Sequence, residues 1–201
     1  MLERQERCGH LLAWEGGMAM KTHTTAVVLI PPAKIWEPIQ AIRQTHDRHI
    51  RRWMPHITLL YPFRPCDEFA GLADRFAAVC AGIEPFRVEF VELRFFRHRR
   101  ESFTLWLAPE PRAALIRLQA LLGNIAPDCD DVTRNRDGFV PHLSVGQVRG
   151  ERQMLTLKET LQAAWQPIAF AAHEISLIWR GDPPDDVFRL GQTVRLGAEE
   201  L

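Results

Sequence analysis

The sequence Pro55-His56-Ile57-Thr58-Leu59 returns later in the chain as Pro141-His142-Leu143-Ser144-Val145. Each copy has a proline, a histidine, an apolar residue, a hydroxyl residue and a second apolar residue. In a chain of 201 residues with 8 histidines and 14 prolines, two copies far exceed the number that chance would produce. The duplicated histidine and hydroxyl therefore predict a site that uses two imidazoles for acid and base chemistry.

Each copy is also predicted to begin a β-strand that is apolar on one side. Side chains alternate between the two faces of a strand, so His56 shares a face with Thr58, and His142 shares a face with Ser144. A proline before each histidine suits the first residue of a strand or an edge strand, where no N–H donor is needed. Each strand would thus present an imidazole beside a hydroxyl, which suits a phosphate held next to a proton-transfer group.

The composition is that of an ordinary globular chain, with 46% hydrophobic and 25% charged residues. The 25 basic and 25 acidic residues give zero net charge, so any attraction to nucleic acid must come from a local patch. This balance argues against a general nucleic-acid coat protein. No apolar run approaches the roughly 20 residues that span a bilayer. The four cysteines lack Cys-x-x-Cys spacing, so reduced thiols and a cytoplasmic location are predicted. No membrane association is expected, and the chain is predicted to be a monomer.

Periodicity predicts alternating strands and helices. Residues 1–20 mix charge and glycine without periodicity and are expected to form a flexible leader, followed by one bilobal domain over residues 21–201. The predicted elements are a strand at 24–30, a helix at 35–47, the first motif strand at 55–61, a helix at 67–80, strands at 86–95 and 102–107, a helix at 111–125, the second motif strand from 141, a helix at 151–165, and strands at 168–179 and 187–196.

This order repeats once, because each motif strand is followed by a helix and then by two hairpin-like strands. The repetition predicts an α+β fold of two similar halves, each with an antiparallel sheet and flanking helices. Each half would supply one histidine to a shared central cleft, which is a usual place for a ligand.

The paired motifs resemble those of the two-histidine phosphoesterases, the superfamily that includes the 2′-5′ RNA ligase-like proteins and cyclic nucleotide phosphodiesterases. The stretch Arg52-Trp53-Met54-Pro55-His56-Ile57-Thr58-Leu59-Leu60-Tyr61-Pro62-Phe63 is especially similar to one branch of that superfamily, and the resemblance covers residues 24–196. It implies two pseudo-symmetric lobes with the active site in the cleft between them. It also implies that no cofactor or metal is used.

The resemblance further implies that His56 and His142 are the catalytic pair, and that Thr58 and Ser144 hold the phosphate oxygens. We hypothesise that His142 is the base and His56 the acid. Many RNA ligase-like members have an arginine five residues after the second histidine, whereas Gln147 stands there in this chain. The identity of the substrate is therefore left open by the sequence.

Further residues are candidates for substrate binding. Tyr61 and Phe139, with Trp53 and Phe63, flank the motifs and either stack on a nucleobase or pack in the core. Tyr61 and Gln147 fall on the faces opposite the histidines unless the strands bulge. Arg97 lies in a basic hairpin turn, where it either binds an RNA phosphate or is one of the ordinary polar residues at the tip of a hairpin.

One other cluster of residues has the side-chain types of a metal-binding site. His46, Asp47 and His49 have the spacing of helical metal ligands, but a solvated helix end is the simpler interpretation, so no metal site is predicted.

The predicted function is a metal-independent phosphoesterase that opens 2′,3′-cyclic phosphates or 2′-5′ phosphodiesters in RNA ends or small nucleotides. ATP-independent RNA joining would be the reverse of that reaction. The alternative is a module that binds nucleotides or RNA ends without turnover. The expected partner in either case is a nucleotide or RNA terminus.

Overall fold

The computed structural model describes residues 20–134 and 136–198. The predicted leader therefore lies almost wholly outside the described residues. Eight strands are β1 (Thr25–Leu29), β2 (Ile57–Leu60), β3 (Phe86–Arg97), β4 (Ser102–Glu110), β5 (Leu143–Arg149), β6 (Ile168–Ala172), β7 (Glu174–Trp179) and β8 (Arg189–Arg195). Four α-helices are α1 (Trp36–His46), α2 (Phe69–Cys80), α3 (Arg112–Gly123) and α4 (Glu151–Ala164). The predicted positions of the helices are confirmed to within a few residues.

The strands form two four-stranded antiparallel sheets. The first sheet has the order β2-β1-β7-β8 and the second has the order β5-β4-β3-β6. Each sheet contains one motif strand at its edge, where a preceding proline costs no ladder hydrogen bond. The two edge strands β2 and β5 are in contact, so the motifs meet where the sheets adjoin. The predicted α+β class and its two antiparallel sheets are confirmed.

The assignment of strands to sequential halves is wrong. The predicted hairpin of β3 and β4 forms, but it joins the second motif strand, whereas the first motif strand pairs with β1 and shares its sheet with β7 and β8. The run predicted as one strand at 168–179 is divided at His173, and its two parts lie in different sheets. A continuous apolar run does not show which sheet its residues join. Periodicity therefore could not reveal that β6 and β7 lie in different sheets.

Helices cover one face of each sheet because their apolar residues recur at helical spacing. In α2, residues Phe69, Leu72, Phe76 and Cys80 are buried, and the helix packs on β8. Helix α1 packs on β5 of the second sheet. That contact is close, because a β-carbon added at Gly146 would lie 2.7 Å from the β-carbon of His46. The end of α1 is thereby brought against the second motif strand.

The described residues include no helix with the length and apolar character needed to cross a membrane. Cys80 and Cys129 are free and buried, whereas Cys66 is disulfide-bonded. The prediction that all four thiols are reduced is therefore wrong for Cys66.

Candidate active site

The first motif places His56 immediately before β2 and Thr58 within that strand. The Nδ1 atom of His56 lies 2.7 Å from the carbonyl oxygen of Met54, two residues earlier. A carbonyl oxygen can only accept a hydrogen bond, so Nδ1 carries the proton and donates. The Nε2 atom of a neutral His56 is consequently the proton acceptor.

The second motif has the same local geometry. His142 immediately precedes β5, Ser144 lies within the strand, and Nδ1 of His142 is 2.8 Å from the carbonyl oxygen of Val140. Two histidines from distant parts of the chain therefore have the same tautomer, with Nε2 available for proton transfer. The equivalence extends to the backbone partner, which is the residue two before the histidine in both cases.

A cleft brings the two motifs together. One cavity of about 510 Å³ is lined by His142 and Ser144 and also by Thr58 of the first motif. An adjoining cavity of about 230 Å³ is lined by His56 and also by Ser144 of the second motif. Each histidine thus shares its cavity with the hydroxyl of the other motif. The four residues predicted to act together line one cleft between the sheets.

Aromatic rings hold the two imidazoles in different ways. Trp53 stacks on His56 with ring centroids 4.6 Å apart, and Phe188 stacks on Trp53 with centroids 3.7 Å apart. His142 instead meets the ring of Phe96 edge-on, with centroids 4.9 Å apart. Both arrangements are favourable aromatic geometries and restrict rotation of the histidine ring.

The ring of Phe188 is fixed by a loop that is anchored to the segment before the first motif. The backbone N–H of Phe188 donates to the carbonyl of Arg52 over 2.9 Å. The buried carboxylate of Asp186 accepts hydrogen bonds from Arg51 and from Nε of Arg52, the latter over 2.9 Å. Asp186 therefore supports the stack that positions His56.

The electrostatic surroundings of the two histidines also differ. Burial lowers the pKa of His56 to about 4. The hydrogen bond to Met54 and the carboxylate of Asp47 oppose this shift, whereas the Arg43 cation and the imidazole of His142 add to it. Burial lowers the pKa of His142 too, opposed by its hydrogen bond to Val140. Among the described residues, the buried Arg43 guanidinium lowers the pKa of His56 and no cation contributes to that of His142, so this charge disfavours a proton at His56.

The Arg43 cation is itself held by a buried ion pair that the sequence interpretation missed. Its Nε donates to Asp47 over 2.8 Å, and its Nη2 donates to the carbonyl of Trp53 over 2.8 Å. The interpretation of residues 46–49 as a solvated helix end is wrong for Asp47, which is only 7% exposed. The available signal was the i,i+4 spacing of Arg43 and Asp47, with Arg43 one turn after the buried Ile39.

Two β-bulges decide where the residues after each motif lie. Val28 pairs with Thr58 and Val27 with Leu60, so Leu59 is an extra residue in β2. Trp106 pairs with Ser144 and Leu105 with Gly146, so Val145 is an extra residue in β5. A bulge shifts the alternation by one residue, and both bulges lie three residues after the histidine. Tyr61 and Gln147 are thereby turned toward the faces that carry the histidines.

Gln147 lines the cavity around His56. Its side-chain oxygen accepts from the backbone N–H of Arg48 over 3.1 Å, and its nitrogen donates to Asp47 over 3.2 Å. Tyr61 packs edge-on against Trp53 and donates its hydroxyl to the carbonyl of His23 over 3.3 Å. Gln147 is thus in the cleft, whereas Tyr61 lies behind the aromatic stack.

The remaining two candidates lie at the wall and rim of the cleft. Phe139 is 7% exposed and lines the cavity around His142 while also belonging to the main core. Arg97 lies at the rim, but its guanidinium interacts with Glu151 over 3.4 Å and with the ring of Phe103. Its neighbour His98, which sequence reasoning did not single out, instead reaches Thr104 within the cleft over 2.9 Å. Within the described ranges, no group of three His, Cys, Asp or Glu side chains could hold a metal ion.

Comparison with known proteins places these residues in a family context. The family described as the 2′-5′ RNA ligase superfamily matches residues 31–184. The chain is 29% identical over 124 residues to "Putative phosphoesterase GK0864" of Geobacillus kaustophilus, an alignment that covers 60% of this chain and 67% of that protein.

Solved structures share the fold at lower sequence identity. The TT0787 protein of Thermus thermophilus superposes with a TM-score of 0.57 at 18% identity, over 88% of this chain and all of that one. LigT of Escherichia coli in its apo form superposes with a TM-score of 0.54 at 18% identity, over 89% of this chain and 99% of that one. Another crystal structure holds LigT in complex with 3′-AMP, and gives a TM-score of 0.52 at 17% identity over 88% of this chain and 99% of that one.

Proposed function

Because the chain belongs to the 2′-5′ RNA ligase superfamily, we propose that it is a metal-independent phosphoesterase that opens 2′,3′-cyclic phosphates or 2′-5′ phosphodiesters at RNA ends or in small nucleotides. The observation that carries the proposal is the pair of Nδ1-protonated histidines, His56 and His142, facing one cleft. The phosphoesterase name of the Geobacillus relative and the 3′-AMP bound by LigT are consistent with it.

The reaction needs one base and one acid. For a cyclic phosphate, water attacks phosphorus and gives its proton to Nε2 of the neutral histidine. The bond between phosphorus and one ribose oxygen breaks, and the protonated histidine gives its proton to that oxygen. Thr58 and Ser144 donate their hydroxyl hydrogens to the non-bridging phosphate oxygens, where negative charge is concentrated. Reversal of the same steps would join RNA ends.

The charge around each imidazole favours His56 as the base and His142 as the acid. Arg43 disfavours a proton on His56, whereas no such cation contributes to the pKa of His142. This assignment is the reverse of the hypothesis drawn from the sequence, because Arg43 was not recognised there as a neighbour of His56.

The direct test is hydrolysis of a panel of 2′,3′-cyclic nucleotides and a cyclic-phosphate-ended oligonucleotide, with EDTA present and the products resolved by phosphorus NMR. We expect turnover that EDTA does not affect, and the product isomer identifies which ribose oxygen leaves. Nucleotide binding without any product, measured by calorimetry on the same panel, would contradict the proposal and support a binding module.

The pH dependence of kcat/KM provides a second test. One histidine must be neutral and the other protonated, and the pKa of each lies below the ordinary value of 6.5. Because the pKa of His142 is lowered from 6.5, the acid has lost most of its proton by that pH, and above it kcat/KM is expected to fall about tenfold per pH unit. Below about pH 4 the base becomes protonated, so the maximum should lie between these values. Initial rates at substrate concentrations below KM measure this profile.

The pH profile of kcat/KM in each single variant then identifies which histidine is the base and which is the acid. His56→Asn should remove the acid limb of the profile and His142→Asn the alkaline limb, since each limb reports the titration of one group. The opposite loss of limbs would contradict the assignment of base and acid, and a maximum above pH 7 in the wild type would contradict the lowered pKa values of the two histidines.

A further inference from the structure

The open end of the cleft is strongly basic. A cavity of about 840 Å³ is lined by three arginines and one histidine, and no acidic side chain lines it among the residues that the structure describes. The basic residues are Arg48, Arg97, His98 and Arg99. In a chain whose formal net charge is zero, this concentration of one sign is a local feature. Such a surface attracts an anion.

The basic cavity is continuous with the histidine cleft. Thr104 and Gln147 line it and also line the cavity around His56. Thr104 and His98 line both it and the cavity around His142. Because Thr104 borders all three cavities, an anion at Arg48 and Arg99 would lie next to a phosphate held between the motifs. The two larger cavities each have the volume of a small-molecule site, so the cleft has room for two nucleotide units.

Two of the arginines have no carboxylate partner among the residues that the structure describes. In the described part of the chain, Arg97 interacts with Glu151, but neither Arg48 nor Arg99 forms an ion pair with an acidic side chain. The loop that carries Arg99 is closed by a hydrogen bond from the N–H of His98 to the carbonyl of Ser102 over 2.7 Å. Arg99 is therefore presented by an ordered turn, and its charge is available to a ligand.

We propose that Arg48, His98 and Arg99 form a second phosphate subsite, which binds the phosphodiester preceding the terminal nucleotide of an RNA strand. This inference rests on the proposed function, since the first phosphate is the one held between His56 and His142. It assigns the preferred substrate as an oligonucleotide end, because a cyclic mononucleotide with a free 5′-hydroxyl has no second phosphate to offer. Contacts to that phosphate position the strand without reading its sequence.

The test compares a cyclic mononucleotide with a dinucleotide that ends in the same 2′,3′-cyclic phosphate. The wild type is expected to show a kcat/KM at least about tenfold higher for the dinucleotide. In the double variant Arg48→Gln with Arg99→Gln, the ratio of the two kcat/KM values should fall to near one. The dependence of the dinucleotide reaction on salt should weaken as well, because phosphate contacts release counterions.

Arg100→Gln is the matched control, because Arg100 lies in the same turn but does not line the cavity. Equal kcat/KM values for the two substrates in the wild type, or an equal loss of the ratio in Arg100→Gln, would overturn the subsite. A 5′-phosphorylated cyclic mononucleotide carries a phosphate at the same position, so it should also show a higher kcat/KM than the unphosphorylated compound; no gain with it would overturn phosphate as the group that the subsite binds.

Failure of the proposed function is separable from failure of the subsite. If neither substrate is turned over, calorimetry compares the Kd of a dinucleotide 3′-phosphate with that of the corresponding mononucleotide 3′-phosphate. Tighter binding of the dinucleotide in the wild type but not in the double variant would support the subsite without catalysis. Equal Kd values for the two ligands in the wild type would overturn it.

Discussion

Replacing either His56 or His142 by asparagine is expected to lower the kcat/KM for a 2′,3′-cyclic nucleotide by on the order of 10² to 10⁴-fold. Asparagine can still donate an N–H to the carbonyl of Met54 or Val140, so the loop before each strand keeps its hydrogen bond. The nitrogen that moves the proton is lost. Because both groups act in one step, the double variant should lose little more activity than the more damaging single variant.

The control for this prediction is an exposed histidine outside the cleft. His173 lies between β6 and β7, and its replacement by asparagine should leave kcat/KM unchanged. Circular dichroism and the urea midpoint establish that each variant is folded. Retention of more than about a tenth of the wild-type kcat/KM by either cleft variant would contradict a role for that imidazole in proton transfer.

The two catalytic candidates could be found from the sequence because everything that defines them is local. A histidine and a hydroxyl two residues apart share a strand face, and the duplication marks them out among 8 histidines. The helices were likewise predictable, since α2 and α3 bury residues at regular helical spacing. Patterns of this kind depend only on residues within one or two turns of each other.

Features that depend on pairing between distant segments were not predictable. The extra residues Leu59 and Val145 become bulges only when their strands pair with β1 and β4, and alternation alone placed Tyr61 and Gln147 on the wrong faces. The division of the run at 168–179 depends on pairing with distant strands, because β6 pairs with β3 whereas β7 pairs with β1 and β8. The sequence could not show that His98, and not Arg97, bonds to Thr104 within the cleft. That contact depends on the register of the β3–β4 hairpin, where Phe96 and Thr104 share a face.

The buried pair of Arg43 and Asp47 has a local i,i+4 spacing, but its burial depends on segments that are distant in sequence. The pair also connects the stability of the fold to the charge around His56. The pair lies at the end of α1, which packs on β5, and Asp47 accepts further hydrogen bonds from the N–H of His49 and from Gln147. Asp47 therefore links the end of α1 to the second motif strand. The same carboxylate holds the guanidinium that faces His56.

Replacing Asp47 by alanine is accordingly expected to lower the free energy of unfolding by about 3–5 kcal/mol, because it leaves the cation of Arg43 buried without its counter-ion. The side chains of Arg43 and Asp47 are only 2% and 3% exposed, so water cannot replace the lost partner. The double variant Arg43→Met with Asp47→Leu should be more stable than Asp47→Ala alone, since it removes the unpaired charge as well. Urea unfolding followed by circular dichroism measures all three proteins.

The matched control is the i,i+4 pair of Arg134 and Asp130, whose side chains are 58% and 42% exposed. Solvent screens that pair, so Asp130→Ala should cost far less stability than Asp47→Ala. Equal costs would show that the buried pair has no special role. The double variant provides a second readout that a purely structural role would not change, because it removes the cation beside His56 together with the carboxylate of Asp47, whose opposite effect on the pKa of His56 is the smaller of the two. Loss of that cation should raise the pKa of His56 and move the acid limb of the kcat/KM profile to higher pH.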